Sequence, residues 1–440
     1  MANQKELSFL ALISIVISSQ VGSGTFIFPS VLAPFGVVGL FGWIVSVCGA
    51  ISLAIIFSEL SAKYSKNGGP HVYVTEAFGK TAGFFTAWTY WIISWSSNSL
   101  LLVTTTLYLT VITGALSPTS IVIIETATLF IITFVNIIGV RFSGIMETIF
   151  TVLKVIPLFI LPIIFFNFFD ISNFRNATVV TTGSNLGIIA KTALLTSWGF
   201  IGVECATTPA GCVKNAKKTI PRAIILGTSC VAIIYLLNVI SVIGVTGFDS
   251  LIETKAPYSF AIEKVFGENG YGNILIALLA IIVCIGTLNA WTLTGGQIAE
   301  GAAADGLFPK SFGKTYKNGT PIVSLTIAAI GIIPFFIVEQ IYGGNNGLDY
   351  LIDLLVSIFL FVYIICCVSY IKMVKNWKKS LKDVIKSYVL AIFAILFCLF
   401  VALGSMISSL IVLGIFIIAG LPVYIYVRKN LFTHNSMPNK

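Results

Sequence analysis

The stretch VGSGTF at residues 21–26 interrupts an apolar run that begins near Leu7. A second interruption, GFIG at residues 199–202, lies inside the apolar run that begins near Leu186. Glycine within a membrane helix leaves backbone N–H and C=O groups without partners in a medium that cannot satisfy them. Such breaks persist where they line a cavity and bind something. A matched pair in two similar halves indicates a secondary transporter with its site at the bilayer midplane.

The composition is that of a membrane protein. Of the 440 residues, 57% are hydrophobic and 10% are charged, which excludes a soluble globular protein. Apolar runs of about 18 residues or more, each long enough to span a bilayer, recur along nearly the whole chain. They predict twelve transmembrane helices, at residues 7–34, 38–62, 82–114, 120–139, 146–168, 187–212, 222–246, 272–302, 319–338, 349–371, 387–405 and 408–427. We therefore expect an all-α integral membrane protein.

The twelve spans divide as five, five and two. Spans 1 and 6, the first members of the two groups of five, carry the glycine breaks. The third members, 82–114 and 272–302, are the two longest apolar runs. This correspondence predicts an inverted repeat formed by residues 7–168 and 187–371, followed by two further helices within 387–427.

The distribution of basic residues predicts the orientation. With a cytoplasmic N-terminus, 21 of the 26 lysines and arginines fall in inner segments, four lie outside or near the outer edge, and Lys154 alone lies within a span. This bias places both termini in the cytoplasm. The positive charges are scattered over several loops and both tails, which argues against nucleic acid as a partner. The expected partners are the lipid bilayer and a small-molecule substrate, and a homodimer stays open.

Cysteine and histidine usage favours neither disulfides nor a metal site. None of the eight cysteines falls in an expected outer loop, so no disulfide framework is predicted. The two histidines, His71 and His434, are far apart in the sequence. No P-loop, H-E-x-x-H, serine elbow or dinucleotide fingerprint is found, and no cofactor is expected. The sequence therefore argues against an enzyme.

The two breaks offer complementary backbone groups. Ser23 and Gly24 open a half-helix, whose N-terminal amides and partial positive charge favour an anionic group such as a carboxylate. Carbonyls freed at residues 200–202 suit an ammonium group. An amide end and a carbonyl end together suit a zwitterion, which predicts an amino acid as ligand. Trp198, just before the second break, is well placed to cover it.

Two charged residues lie within apolar spans, where they are expensive unless paired or functional. Glu204 follows the second break and could shuttle a proton, pair with Lys154, or hold helix 6 near the break. Lys154, in the middle of span 5, could replace a coupling cation between helices 1 and 5. Asp353 and Glu300 lie closer to the interfaces, where a solvated boundary charge and a functional role are equally good interpretations.

Five motifs together resemble the amino acid–polyamine–organocation superfamily. They are residues 21–26, 197–204, 213–221, 291–297 and 302–309. Within the superfamily, the chain is most similar to the bacterial basic amino acid/polyamine antiporters of the arginine/agmatine exchanger type. The resemblance covers essentially the whole chain. It implies a leucine-transporter-like fold of ten core helices plus two, in a bacterial inner membrane.

The resemblance also implies roles for individual residues. Ser23 and Gly24 would receive the substrate carboxylate, and carbonyls near Ile201 would receive its α-amino group. Trp198 would cap the substrate from the outer side, and Trp291 would line the pocket from span 8.

Span 3 carries three further residues that match family positions. Tyr90, Ser94 and Asn98 share one face at a spacing of four. By resemblance they gate the site and reach the distal end of the substrate. The expected gating residues are Tyr90, Trp198 and Glu204.

Two departures keep the transport mode open. The arginine exchanger pattern has asparagine three residues before the Gly-Ser-Gly of span 1, where this chain has Ser19. Lys154 resembles instead the span 5 lysine of proton-coupled amino acid symporters in the same superfamily, which argues against sodium coupling. We expect an exchanger of amino acids or their amine products, with basic ones as the narrower hypothesis. The alternative is a proton-coupled symporter of neutral amino acids.

Overall fold

The computed structural model describes residues 8–138, 140–175, 183–210, 213–267, 270–315, 320–342, 344–377 and 380–435. Nearly all of these residues are helical. The helices are α1 (Phe9–Gln20), α2 (Ser23–Leu32), α3 (Gly36–Lys63), α4 (Pro70–Phe78), α5 (Lys80–Ser96), α6 (Asn98–Thr113), α7 (Pro118–Ile138), α8 (Val140–Phe166), α9 (Ser172–Arg175), α10 (Asn185–Ser197), α11 (Ala216–Thr246), α12 (Phe248–Ile252), α13 (Pro257–Phe266), α14 (Gly270–Ala304), α15 (Ile322–Tyr342), α16 (Gly344–Val374), α17 (Leu381–Leu403) and α18 (Ile407–Asn435).

Nine stretches within the described ranges are long and apolar enough to cross a membrane. One of them, Phe9–Lys63, joins α1, α2 and α3 into a single run. Helices α5 and α6 have 17 and 16 residues and are separated only by Ser97. A shorter apolar helix, Ile322–Ile337, lies within α15. The expectation of an all-helical membrane protein is confirmed.

The broken helices lie at the centre of the bundle. Helix α1 packs against α11 and α14, helix α10 packs against α3, and helix α14 packs against α6 and α8. Within the apolar stretch that contains α10, 78% of an 18-residue segment is buried inside the protein, whereas the corresponding share in the stretch that contains α18 is 6%. The last helix therefore presents its apolar side chains outward, as a lipid-facing helix does, while α10 belongs to the interior.

Span 6 is an α-helix only in its first half. Helix α10 ends at Ser197 and is followed by a 3-10 turn, Trp198–Phe200. A second 3-10 turn, Cys205–Thr207, follows, and the described residues up to Ala210 form no further α-helix. The sequence predicted one span over residues 187–212 with a break at residues 199–202, so the loss of α-helix in the described residues beyond that break is a correction to that prediction. Glycine, β-branched threonine and the proline at position 209 all disfavour an α-helix there.

Candidate substrate-binding site

The first break begins where α1 ends, and its carbonyl groups are bonded by side chains from three other helices. The last carbonyls of a helix have no partner within that helix and need one from elsewhere. The bonds are Lys154 Nζ to Ser18 O (3.1 Å), Trp291 Nε1 to Ser19 O (3.1 Å), Tyr235 OH to Gln20 O (2.7 Å) and Thr287 Oγ1 to Val21 O (2.8 Å). Side chains of α8, α11 and α14 therefore fix this end of the break.

Lys154 lies at the first break, as the sequence predicts for a residue between helices 1 and 5. Its side chain is fully buried. The ammonium also contacts the hydroxyl oxygens of Ser18 (2.6 Å) and Thr287 (3.2 Å). An ammonium surrounded by oxygen atoms takes a position that a small cation could otherwise occupy.

Glycine is favoured at the first break because side chains of neighbouring helices and of α2 itself come close to the backbone. A Cβ atom added to Gly22 would lie 3.0 Å from Leu101 and 3.1 Å from Thr287. One added to Gly24 would lie 2.7 Å from the ring of Phe28. Helix α2 begins at Ser23, and the first N–H groups of a helix have no acceptor within it. Those groups, with their partial positive charge, are available to an anionic ligand.

The second break is held open by Gly202, whose φ angle of +103° belongs to the region that favours glycine. Ile201 before it is extended, with φ −64° and ψ 131°. The hydroxyl of Ser19 donates to the carbonyl of Gly202 at 3.2 Å. A Cβ atom at Gly202 would lie 2.8 Å from that hydroxyl oxygen. Ser19, the residue that departs from the arginine exchanger pattern, therefore joins the two breaks.

Trp198 makes a second connection between the two breaks, in addition to that of Ser19. Its indole Nε1 donates to the hydroxyl oxygen of Ser23 at 3.0 Å, and only 8% of the residue is exposed. The indole ring therefore spans from the second break to the first turn of α2. In this position it can cover a ligand bound between the two.

A small cavity lies between the breaks. Four of the predicted substrate-binding residues line it: Ser23, Trp198, Ile201 and Trp291. The other lining residues are Ser19, Gln20, Gly22, Ser97, Leu101 and Thr287. Gly24, the other residue predicted to receive the carboxylate, is not among the lining residues, and a Cβ atom added there would meet the ring of Phe28 and the hydroxyl of Tyr235.

Asn98 lies at a second small cavity, which Trp291 shares with the first. Its amide nitrogen donates to Thr292 at 3.4 Å. Its amide oxygen is buried and accepts no hydrogen bond within the described part of the chain. Ser94, predicted to share this face, donates back to the carbonyl of Trp91 at 2.6 Å and packs against Gly295. The structure therefore brings Asn98, but not Ser94, to the edge of the site.

Tyr90 lies at neither cavity and instead bonds Glu204. The two carboxylate oxygens of Glu204 accept from the hydroxyls of Tyr90 (3.0 Å) and Tyr363 (2.8 Å). All three side chains are buried. The pairing of Glu204 with Lys154 that the sequence allowed is wrong, since Glu204 forms no ion pair among the described residues. Sequence reasoning missed Tyr363, one of several tyrosines in apolar runs, with no pattern that links it to Glu204.

A loop packs beneath the second break. The N–H of Gly68 donates to the carbonyl of Thr208 at 3.0 Å. At the start of α4, directly after this loop, His71 Nε2 lies 3.3 Å from Oδ2 of Asp305, the residue that follows α14. This contact is the main cause that holds the pKa of the Asp305 carboxyl below its usual range. The loop and the start of α4 together therefore tie the non-helical end of span 6 to the end of α14.

A sequence model of the family described as amino acid permease matches residues 7–432. The chain belongs to the amino acid permease family. The permease is 29% identical over 440 residues to the cadaverine/lysine antiporter of Escherichia coli, covering 98% of this chain and 96% of that relative. It is 29% identical over 332 residues to the putrescine transporter PotE of Haemophilus influenzae, covering 75% of this chain and 76% of the relative. To PotE of Escherichia coli it is 27% identical over 331 residues, 75% of each chain.

The remaining charged positions of the permease lie away from the cavity between the breaks. Asp353 is fully buried, and its Oδ2 lies 2.9 Å from Lys191 Nζ. The interpretation of Asp353 as a solvated boundary charge is therefore wrong. Glu300, near the end of α14, is partly buried.

Proposed function

We propose that the permease exchanges an amino acid for an amine by alternating access, with its site between the two helix breaks. One observation carries this proposal: both breaks line the same cavity, and the bonds Trp198–Ser23 and Ser19–Gly202 join them across it. Helix breaks that converge on an enclosed space at the centre of a membrane protein are typical of a transporter's binding site.

The backbone at the two breaks supplies the recognition of the amino acid head group. The N–H groups at the start of α2, at Ser23 and Gly24, receive the carboxylate. The carbonyls at Ile201 receive the α-ammonium. Trp198 covers the ligand on one side, and Trp291 lies along it on the other. These backbone groups are common to any α-amino acid ligand, so the side chain must be recognised elsewhere.

The cavity beyond Trp291 suits a cationic side chain. It offers the unbonded amide oxygen of Asn98 and the face of Trp291. A carbonyl oxygen accepts from an ammonium group, and an aromatic face attracts a cation without a carboxylate nearby. The named substrates of the relatives, lysine, cadaverine and putrescine, are all of this chemistry. We therefore assign a basic amino acid and a diamine as the exchanged pair.

A gate lies on the side of the second break opposite Trp198, and it is formed by Tyr90, Glu204 and Tyr363. Their hydrogen bonds join α5, the non-helical part of span 6 and α16. Opening the path on this side requires these bonds to part. Hydrogen bonds to a charged group contribute about 1.5–3 kcal/mol each, a size that a ligand's differential affinity for two states can offset.

Exchange is favoured over proton-coupled symport because a relative that matches nearly the whole chain is named as an antiporter. Lys154 argues against sodium coupling in either mode of transport, because its ammonium occupies an oxygen-lined position at the first break. A sodium ion is therefore not required there. Lys154 remains the residue that would link transport to protons if exchange proves to depend on pH.

The architecture that fits this function has twelve spans. Separating α1–α2 from α3, joining α5 to α6, and adding α15 to the nine apolar stretches gives that number. The halves 7–168 and 187–371 form the inverted repeat, and 387–427 adds two helices. The positive-inside bias orients both termini to the cytoplasm of a bacterial inner membrane.

Counterflow in proteoliposomes tests the proposal. Labelled lysine is supplied outside, and lysine, ornithine, arginine, cadaverine, putrescine or alanine is trapped inside in turn. We expect uptake only when a basic amino acid or diamine is trapped. Uptake into empty liposomes driven by an inward proton gradient, with neutral amino acids as the better substrates, would overturn exchange and support symport.

A further inference from the structure

A buried ion pair joins α10 to α16 outside the substrate site. Lys191 Nζ is 2.9 Å from Asp353 Oδ2, with the Asp353 side chain fully buried and that of Lys191 19% exposed. Breaking such a pair is costly because it leaves an uncompensated charge in a poorly solvated place. The pair therefore fastens α10 to α16 by a strong and separable contact.

The same carboxylate binds a third part of the chain. The hydroxyl of Ser405 donates to Asp353 Oδ1 at 2.7 Å, and the N–H of Met406 donates to Oδ2 at 3.0 Å. Both residues belong to the turn between α17 and α18. In that turn, a Cβ atom added to Gly404 would lie 2.5 Å from the carbonyl oxygen of Ala190. The turn backbone therefore packs directly on α10 beside Lys191.

Helix α10 connects this contact to the substrate site. It is an uninterrupted helix of 13 residues that ends directly before Trp198. Lys191 lies seven residues before Trp198, about 10 Å along the helix axis. Because so short a helix moves as a unit, the attachment of Lys191 determines where the indole of Trp198 lies over Ser23.

A second carboxylate is placed one turn away on α16. Asp349 precedes Asp353 by four residues, so the two share one face of the helix. Oδ1 of Asp349 is buried and accepts no hydrogen bond from the residues that the structure describes. Asp349 is closer to the end at which both α10 and α16 begin. A shift of α10 toward that end by about 5 Å, one helical turn, would carry Lys191 from one carboxylate toward the other.

We propose that Lys191 is a latch with two positions, bound to Asp353 when α10 covers the site and to Asp349 when α10 uncovers it. The proposal rests on the alternating access of the proposed function. Lys191, Asp353 and Asp349 act through α10 and Trp198 and do not touch the substrate, so they are positioning residues.

Labelling of a reporter cysteine tests the latch. Leu101 lines the substrate cavity, and Leu101→Cys provides a thiol that a membrane-impermeant reagent reaches only when the site is uncovered. Labelling rates are compared in intact cells and in inside-out vesicles, with the chain lacking Leu101→Cys as background. The relevant rate is that of thiol labelling from the side of the membrane at which α10 begins. We expect Asp353→Asn and Lys191→Met to raise this rate by about tenfold, and Asp349→Asn to lower it by a few-fold.

Milder and matched variants separate the latch from a role in folding alone. Ser405→Ala removes one donor to Asp353 and should raise labelling by a smaller factor, which keeps the test available if Asp353→Asn fails to fold. Unchanged labelling in Lys191→Met and Ser405→Ala, with a lowered melting temperature, would overturn the latch. An increase in Asp349→Asn would overturn the second position. Labelling needs no substrate, so the latch is decided even if counterflow overturns the exchange function.

Discussion

The two helix breaks differ in what holds them. At the first, four consecutive carbonyls from Ser18 to Val21 receive donors from α8, α11 and α14. At the second, the described backbone bonds are mostly local, such as Ile201 N–H to Trp198 O and Cys205 N–H to Gly202 O. Among the described residues, bonds to the rest of the molecule are made through the side chains of Ser19, Trp198 and Glu204 and, further along span 6, by the Gly68 N–H to the carbonyl of Thr208.

This difference assigns the breaks different mechanical roles. The first is anchored by the surrounding helices and serves as the fixed part of the site. The second is connected by a few separable hydrogen bonds, and its flanking segments can move when those bonds part. In the proposed function, a substrate bound between the two would therefore meet one surface that is bonded to three helices and one that is held by fewer bonds.

The largest effect is expected from Lys154→Met at the anchored break. The variant removes the donor to Ser18 and leaves buried acceptors unsatisfied, at a cost of about 1–3 kcal/mol each. We expect counterflow to fall by about 100-fold or more and the melting temperature in detergent to fall as well. Thr287→Ser, which keeps its hydroxyl, is the control and should remain close to wild type. A Lys154→Met protein that is as stable and active as wild type would contradict an anchored first break.

Glu204→Gln at the second break should reduce transport without comparable loss of stability. The hydrogen bonds from Tyr90 and Tyr363 lose the charge that strengthens them. We expect a fall of about tenfold in exchange rate and a small change in melting temperature. The pH profile of exchange should also change if this carboxylate titrates during transport.

Glu59→Gln is the matched control for that variant. Glu59 also accepts a hydrogen bond from a tyrosine hydroxyl, that of Tyr370 at 2.7 Å, away from both breaks. We expect its exchange rate to stay within about twofold of wild type. Equal losses in the Glu59 and Glu204 variants would show that the second break has no special role.

Trp198→Phe should have a smaller effect, because it keeps a ring over the site and removes only the donor to Ser23. A neutral hydrogen bond contributes about 1 kcal/mol, which corresponds to about a fivefold change in exchange rate. Trp198→Leu, which also removes the aromatic ring, should weaken occlusion further. Trp88→Phe is the control, because Trp88 Nε1 donates to the carbonyl of Phe416 outside the site. A turnover undiminished in Trp198→Leu would remove Trp198 from the gate.

The smallest effect concerns Asp305, which follows α14 and contacts His71 at the start of α4. His71 lowers the pKa of Asp305 in the folded protein, so the carboxylate stabilises the fold above its unfolded pKa. That contribution is lost as the pH falls through the folded pKa, below about pH 4. We expect Asp305→Asn to flatten the fall in melting temperature over this acidic range. An identical pH dependence in wild type and variant would show that the contact with His71 contributes nothing.

The sequence predicted the breaks because glycine within an apolar run has a direct structural cost. It also selected Glu204 and Lys154, because a charge in a membrane span needs a reason. It could not predict Tyr363, Thr287 or Tyr235, which resemble ordinary members of apolar helices. Their importance comes from partners far away in the sequence. The same limit applies to Asp353, whose burial is explained by Lys191 on another helix and by Ser405 and Met406 in the turn between α17 and α18.

The half-helix that begins at Ser23 has a consequence for energetics across the membrane. In the proposed exchange, a basic amino acid carries a carboxylate to these N–H groups, whereas the diamine has none to offer them. The two exchanged molecules therefore differ by one contact and by one unit of charge. Each cycle moves a net charge, so a membrane voltage of about 100 mV biases the exchange by about 2.3 kcal/mol. The voltage across the membrane then helps to determine which of the two ligands leaves the cell.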